Sequence, residues 1–159
     1  MNLNYQYWYF DGALPNRWCD FVLKAGLGVE RHQAYIGEMG DRKEELTNKD
    51  IEALHKKRHS DISWLNEQWI YRMIHPFVDI ANRKLSCSIL LNHPEEYEGG
   101  NLEFSLFNNN LDNKTIICKE ARKKGSIIVF PSFCWHQVTE VTRGVRYSLV
   151  TWHLGQPWK

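Results

Sequence analysis

From Leu85 onward the chain is a series of short β-branched and aromatic runs, none with helical spacing, broken by glycine- or asparagine-rich reversals. The runs predict strands at Leu85 to Leu91, Leu102 to Phe107, Thr115 to Cys118, Ser126 to Phe130, His136 to Val141 and Val145 to His153. Glu98-Gly99-Gly100-Asn101, Asn108 to Asn113, Lys124-Gly125 and Arg143-Gly144 read as the turns between them. The half before Leu85 is patterned differently. Apolar residues at Trp69, Ile70, Met73, Ile74, Phe77, Val78 and Ala81 fall on one helical stripe and predict a helix over 66–83, with Pro76 kinking it or ending its first half. Leu14 to Leu27 predicts an earlier helix opened by Pro15 and closed by Gly26 and Gly28, and Thr47 to Lys57 a second, short one. Arg58 to Leu65 reads as a strand, and the aromatic run Tyr5 to Phe10 as a strand or extended arm on the core. Helices first and strands afterwards predict an α+β fold, with N-terminal helices backing one face of an antiparallel sandwich or jelly roll.

At 159 residues this is expected to be one domain, 1–84 mainly helical support and 85–159 strands, with enough apolar residues for a real core. A net charge of +1 gives no bulk reason to expect nucleic acid or an anionic membrane as partner. Cys19, Cys87, Cys118 and Cys134 lack C-x-x-C spacing, so they read as reduced, buried, small hydrophobes. The start, MNLNYQYWYF, has neither the basic opening nor the aliphatic run of a signal peptide, and no apolar stretch is long enough to span a bilayer. A soluble cytoplasmic protein is expected.

Three residues near the end carry candidate chemistry. His136 follows the apolar run FPSFCW and emerges where a buried strand reaches a rim, where a neutral imidazole can ligate iron, zinc or copper or simply be structural. Arg146 and Ser148 are two apart on a strand and share a face. A guanidinium inside a barrel needs an anionic partner. A planar fork with a hydroxyl beside it suits the terminal carboxylate of a small molecule, and an internal glutamate would serve equally.

The run GSIIVFPSFCWHQVTEVTRGVRYSLVTW, the upstream YEGGNLEF at Tyr97 to Phe104, and RHSDISWL at Arg58 to Leu65 together resemble the iron(II)- and 2-oxoglutarate-dependent dioxygenases, in their bacterial and phage prolyl 4-hydroxylase-like branch. The resemblance runs from about Trp8 to Trp158. It implies a double-stranded β-helix, with Fe(II) held by an H-x-D pair and a distal histidine and 2-oxoglutarate gripped by a basic residue on the last strand. On this chain His136 matches the distal iron ligand and Arg146 the 2-oxoglutarate clamp, assisted by Ser148. The implied cofactors are Fe(II) and 2-oxoglutarate, with ascorbate as an accessory, and the implied reaction is hydroxylation of a peptide or protein residue, in this branch often a proline, with conversion of 2-oxoglutarate to succinate.

The chain departs from that pattern at one place. The H-x-D segment belongs between the long helix and the strand beginning Arg83-Lys84-Leu85-Ser86, but here Asp79-Ile80-Ala81-Asn82 runs straight into it. Core strands are therefore expected to be missing between Asn82 and Leu85, and no catalytic residue is assigned. One H-x-D string, His59-Ser60-Asp61, lies instead in the segment that matches a ligand-free strand of the family. The alternative to an active hydroxylase is an inactive relative that binds a peptide or carboxylate ligand through the retained barrel mouth.

Overall fold

A computed structural model of the chain describes residues 7–33, 60–81, 85–105 and 115–153. The chain divides into two compact units, residues 24–66 and the remainder. In the smaller unit the described strands are β2 (His32–Gln33) and β3 (Asp61–Ile62), paired antiparallel. The strand predicted over Arg58 to Leu65 is therefore only two residues long among the described positions. The short helix predicted over 47–57 lies outside the described residues.

The larger unit is built on β4 (Leu85–Leu90) and β8 (Ile127–Pro131), both buried along their whole length. They pair antiparallel and form the centre of a four-stranded sheet in the order β1, β8, β4, β11, where β1 is Trp8–Phe10 and β11 is Ser148–His153. A second layer consists of β6 (Leu102–Ser105) between β7 (Thr115–Ile117) and β9 (His136–Val138), with β5 (Tyr97–Gly99) paired to β10 (Val141–Gly144). Alternation assigns the faces of β8: Ile128 and Phe130 point to the second layer, where they meet Leu102 and Phe104 of β6 in one buried cluster with Cys118 and Ala121. Phe104 sits at its centre, stacked on Tyr7 at 5.0 Å and edge-on to Phe130 at 5.0 Å.

On the opposite face, helix α2 (Gln68–Ala81) lies against β8 and β4. Its buried Ile70, Ile74 and Val78 recur every four residues and make the apolar stripe expected from the sequence. Pro76 neither ends nor divides the helix, which runs unbroken across it. Helix α1 (Asn16–Leu27) buries Cys19 and Val22, and the Leu14 amide before it bonds the Gly125 carbonyl. None of the four cysteines is in a disulfide, and burial pushes the Cys87 thiol up to about 12 and Cys118 up to about 11, so neither is a nucleophile.

Two predicted turns are strand. Glu98-Gly99 lies in β5 and Arg143-Gly144 in β10, and the two pair across a bulge between Val141 and Arg143. Glycine signals a reversal in sequence, but here it permits close backbone approach. A side chain on Gly99 would strike the Glu140 carbonyl, and one on Gly144 the Glu96 carbonyl. The run from His136 to Val141 is accordingly split between β9 and β10.

The junction of α2 and β11 carries a titratable cluster. The His153 ring meets that of His75 at 5.6 Å, and its Nε2 lies 3.0 Å from the Thr151 hydroxyl. His75 in turn lies 3.6 Å from Asp79. Burial, with His75 adding to it, holds the His153 pKa below the usual histidine range against the opposing pull of Asp79. A histidine depressed in the folded state binds fewer protons than in the unfolded chain. Its stabilisation is thus complete above the unfolded value of about 6.5 and declines as pH falls below it toward the depressed folded value. The melting temperature is expected to drop in that window, with a shallower drop in His153→Gln; equal slopes in thermal melts would show that His153 does not contribute.

Candidate carboxylate site

Arg146 lies in the three-residue connection between β10 and β11, and a buried side chain fixes it there. Asn92, 2% exposed at the end of β4, donates from Nδ2 to the Val145 carbonyl at 2.9 Å and accepts the Tyr147 amide on Oδ1 at 2.9 Å. One amide thus pins both peptide groups flanking Arg146. The Leu91 amide adds a bond to the Tyr147 carbonyl. Gly100, at φ +61°, supplies the floor: a Cβ there would lie 2.9 Å from Arg146 Cδ and 3.3 Å from the Tyr97 ring.

Within this seat Arg146 Nη1 donates to Ser148 Oγ at 3.0 Å, so the two side chains meet as their spacing suggests, although the strand predicted from Val145 begins only at Ser148. Arg146 Nε is buried and has no hydrogen-bond partner. Burial lowers the guanidinium pKa and Arg122 nearby adds to this, while the Tyr97 hydroxyl opposes both. Arginine remains charged throughout such shifts. Among the described residues no carboxylate pairs with it, so the internal glutamate partner is not found there. Arg122 is occupied elsewhere, with its guanidinium over the Tyr97 ring and Nη1 bonded to Asn101 Oδ1 at 2.7 Å. The seat is therefore an incomplete anion site: a fixed charge, the hydroxyls of Ser148 and Tyr97, and a donor with no partner among the described residues.

His136 stands on β9 opposite Phe104. Its Nδ1 lies 2.8 Å from the Cys134 carbonyl, which only accepts, so Nδ1 carries the proton and Nε2 keeps its lone pair. The ring rests against Phe130 at 4.6 Å, with Phe104 at 6.3 Å, on an exposed residue. That tautomer suits a metal ligand. It is alone, however: no group of three or more histidines, cysteines or acids placed to hold a metal occurs among the described residues. Asp61 is exposed on β3, and its sequence partner His59 lies outside the described residues. His32 and His93 are solvent-facing.

The residues that sequence reasoning missed are Asn92 and Tyr97, with Gly100 weighed only as a turn. An asparagine directly after the buried run of β4 was the available sign, since a polar amide at a strand end must find partners. Asn92→Ala removes both bonds and leaves a buried carbonyl and amide unpaired. It is expected to destabilise the fold by about 2–4 kcal/mol and to loosen anion binding together with it, measured by denaturant unfolding and calorimetry. Stability unchanged within about 0.5 kcal/mol would mean the clamp is dispensable.

The profile of the 2OG-Fe(II) oxygenase superfamily matches residues 53–154. A PKHD-type hydroxylase of Prochlorococcus marinus is 38% identical over 77 residues, 48% of this chain and 32% of that protein. Another, from Hyphomonas neptunium, is 37% identical over 70 residues, 43% of this chain and 27% of that protein. The matched stretch therefore spans about a third or less of these relatives' length. Among solved structures, an oxidoreductase of the 2OG-Fe(II) oxygenase family from Burkholderia pseudomallei superposes with a TM-score of 0.55 at 14% identity, over 94% of this chain and 87% of that one, which is a likeness of fold.

Proposed function

Because the chain belongs to the 2OG-Fe(II) oxygenase superfamily, whose jelly-roll fold it shares, we propose that Arg146 and Ser148 hold the distal carboxylate of 2-oxoglutarate and that this binding is the function the chain retains. The observation behind the reading is the buried, partnerless Arg146 Nε beside a hydroxyl. A carboxylate there meets the unspent Nε donor of a planar guanidinium and neutralises a charge that nothing else among the described residues neutralises. When bound, 2-oxoglutarate is the co-substrate whose oxidation to succinate accompanies hydroxylation in this superfamily.

Iron fits less well. His136 offers Nε2, but one imidazole is too few for a stable centre, and among the described residues no histidine or carboxylate joins it. Hydroxylation, the activity in the names of the relatives, needs ligands beyond these. The chain by itself is read as a carboxylate-binding member of the family that does not turn over.

Calorimetric titration with 2-oxoglutarate in the presence of a chelator tests the first half. Saturable binding supports it, and no heat with or without added metal overturns it. Anaerobic Fe(II) titration with 2-oxoglutarate tests the second half. The expected result is no visible charge-transfer band; a saturable band lost in His136→Ala would restore the enzyme reading.

A further inference from the structure

Two arginines, not one, meet the Tyr97 ring. Tyr97 opens β5 and is buried. Arg146 lies beside its edge: the point where a Gly100 Cβ would sit is 2.9 Å from Arg146 Cδ and 3.3 Å from Tyr97 Cε2, the ring atom next to the one that bears the hydroxyl. Arg122 lies over its face, with the guanidinium carbon 5.6 Å from the ring centroid. It comes from the short 3-10 turn Lys119–Arg122 ahead of β8.

Among the described residues the hydrogen bonds of Arg122 go to neutral groups. Nη1 donates to Asn101 Oδ1 at 2.7 Å and, more weakly, to the Gly99 carbonyl at 3.4 Å. Asn101 is itself pinned, its amide donating to Thr139 Oγ1 and its carbonyl accepting the Thr139 amide, both at 2.9 Å. The acids on adjoining elements are engaged elsewhere: Glu98 with Arg143 at 2.8 Å, Glu103 with Gln137 at 2.9 Å and Glu120 with Tyr7 at 3.0 Å. A second positive charge therefore stands beside the seat with no carboxylate among the described residues to offset it, and it bears on the charge of Arg146. Packing against Tyr97 and bonding to Asn101 require no charge. An anion in the seat is drawn by both guanidinium groups.

We propose that Arg122 is a positioning residue of the carboxylate seat, which holds the Tyr97 phenol against Arg146 and adds a second positive charge that strengthens the grip on the anionic ligand. The inference rests on the reading of Arg146 and Ser148 as a carboxylate site. Its two parts separate by substitution. Arg122→Lys keeps the charge and loses the planar stack, whereas Arg122→Gln keeps an amide donor for Asn101 and loses the charge. Asn101→Asp leaves Arg122 and its stack in place and sets a carboxylate against Nη1.

Calorimetric titration of 2-oxoglutarate into the full chain, with a chelator present and at several salt concentrations, compares these variants with the wild type. Arg122→Gln and Asn101→Asp are each expected to bind about three- to tenfold more weakly with a shallower salt dependence, and Arg122→Lys to keep most of the affinity. Wild-type affinity and salt dependence in Arg122→Gln and Asn101→Asp would overturn the inference while leaving the carboxylate site standing. So would an equal loss in Arg122→Gln and Arg122→Lys with the salt dependence unchanged, which would show packing at work and not charge. If circular dichroism finds Arg122→Gln unfolded, Asn101→Asp decides. A wild type that takes up no 2-oxoglutarate would sink the carboxylate reading, and this inference with it.

Discussion

Arg146→Ala is expected to reduce 2-oxoglutarate affinity by roughly thirtyfold or more while leaving the ligand-free protein as stable as before or more so. Loss of a buried charged partner costs about 2–5 kcal/mol of binding, which at ~1.4 kcal/mol per decade is roughly 30- to several thousandfold. The stability half follows from the partnerless Nε. Holding a guanidinium out of water without a counter-charge opposes folding, and removing it relieves that penalty. Arg146→Lys is expected to recover little of the affinity, because an ammonium keeps the charge but not the planar pair of donors. Calorimetry and thermal melts on the same samples read both quantities. Binding that survives in Arg146→Ala would move the carboxylate site elsewhere, and a large loss of stability would mean that Arg146 has an internal partner after all.

The largest stability effect belongs to Phe104→Ala. Phe104 is fully buried between the two layers, in contact with Tyr7 and Phe130 and paired across the ladder with His136. Truncation removes a ring from the centre of the cluster that joins β6 to β8. The expected loss is about 3–5 kcal/mol, a large part of the total stability of a domain this size. Denaturant unfolding measures it; a loss below ~1 kcal/mol would show that the layers are not held together there. Phe104→Leu keeps most of the volume and is expected to lose much less.

The two sides of the fold were unequally legible in sequence. Helical spacing at Ile70, Ile74 and Val78 gave the stripe of α2 directly, because a long amphipathic helix repeats its signal over several turns. The central strands β4 and β8 announced themselves as short continuous apolar runs. β5 and β10 did not, since Gly99 and Gly144 signal a reversal locally and only the partner strand shows that they serve close backbone contact. The two-residue spacing of Arg146 and Ser148 anticipated their contact, although only Ser148 lies on the strand. What spacing left open, a glutamate partner or a free fork, is a matter of three-dimensional neighbours, as is the clamp by Asn92, 54 positions away from Arg146 (146 − 92).

The unbroken register of β11 on β4 also sets where this chain tolerates changes of length. Side chains on β11 alternate between the face of Arg146 and the face against α2, with Thr151 and His153 on the latter. One residue inserted or deleted between Tyr147 and Thr151 exchanges the two faces. It would turn a leucine toward the carboxylate seat and drive a serine or valine under the helix, although every residue type present remains the same. Single-residue indels within β11 are therefore expected to abolish the anion site, an outcome that a length-variant library scored for 2-oxoglutarate binding would make visible.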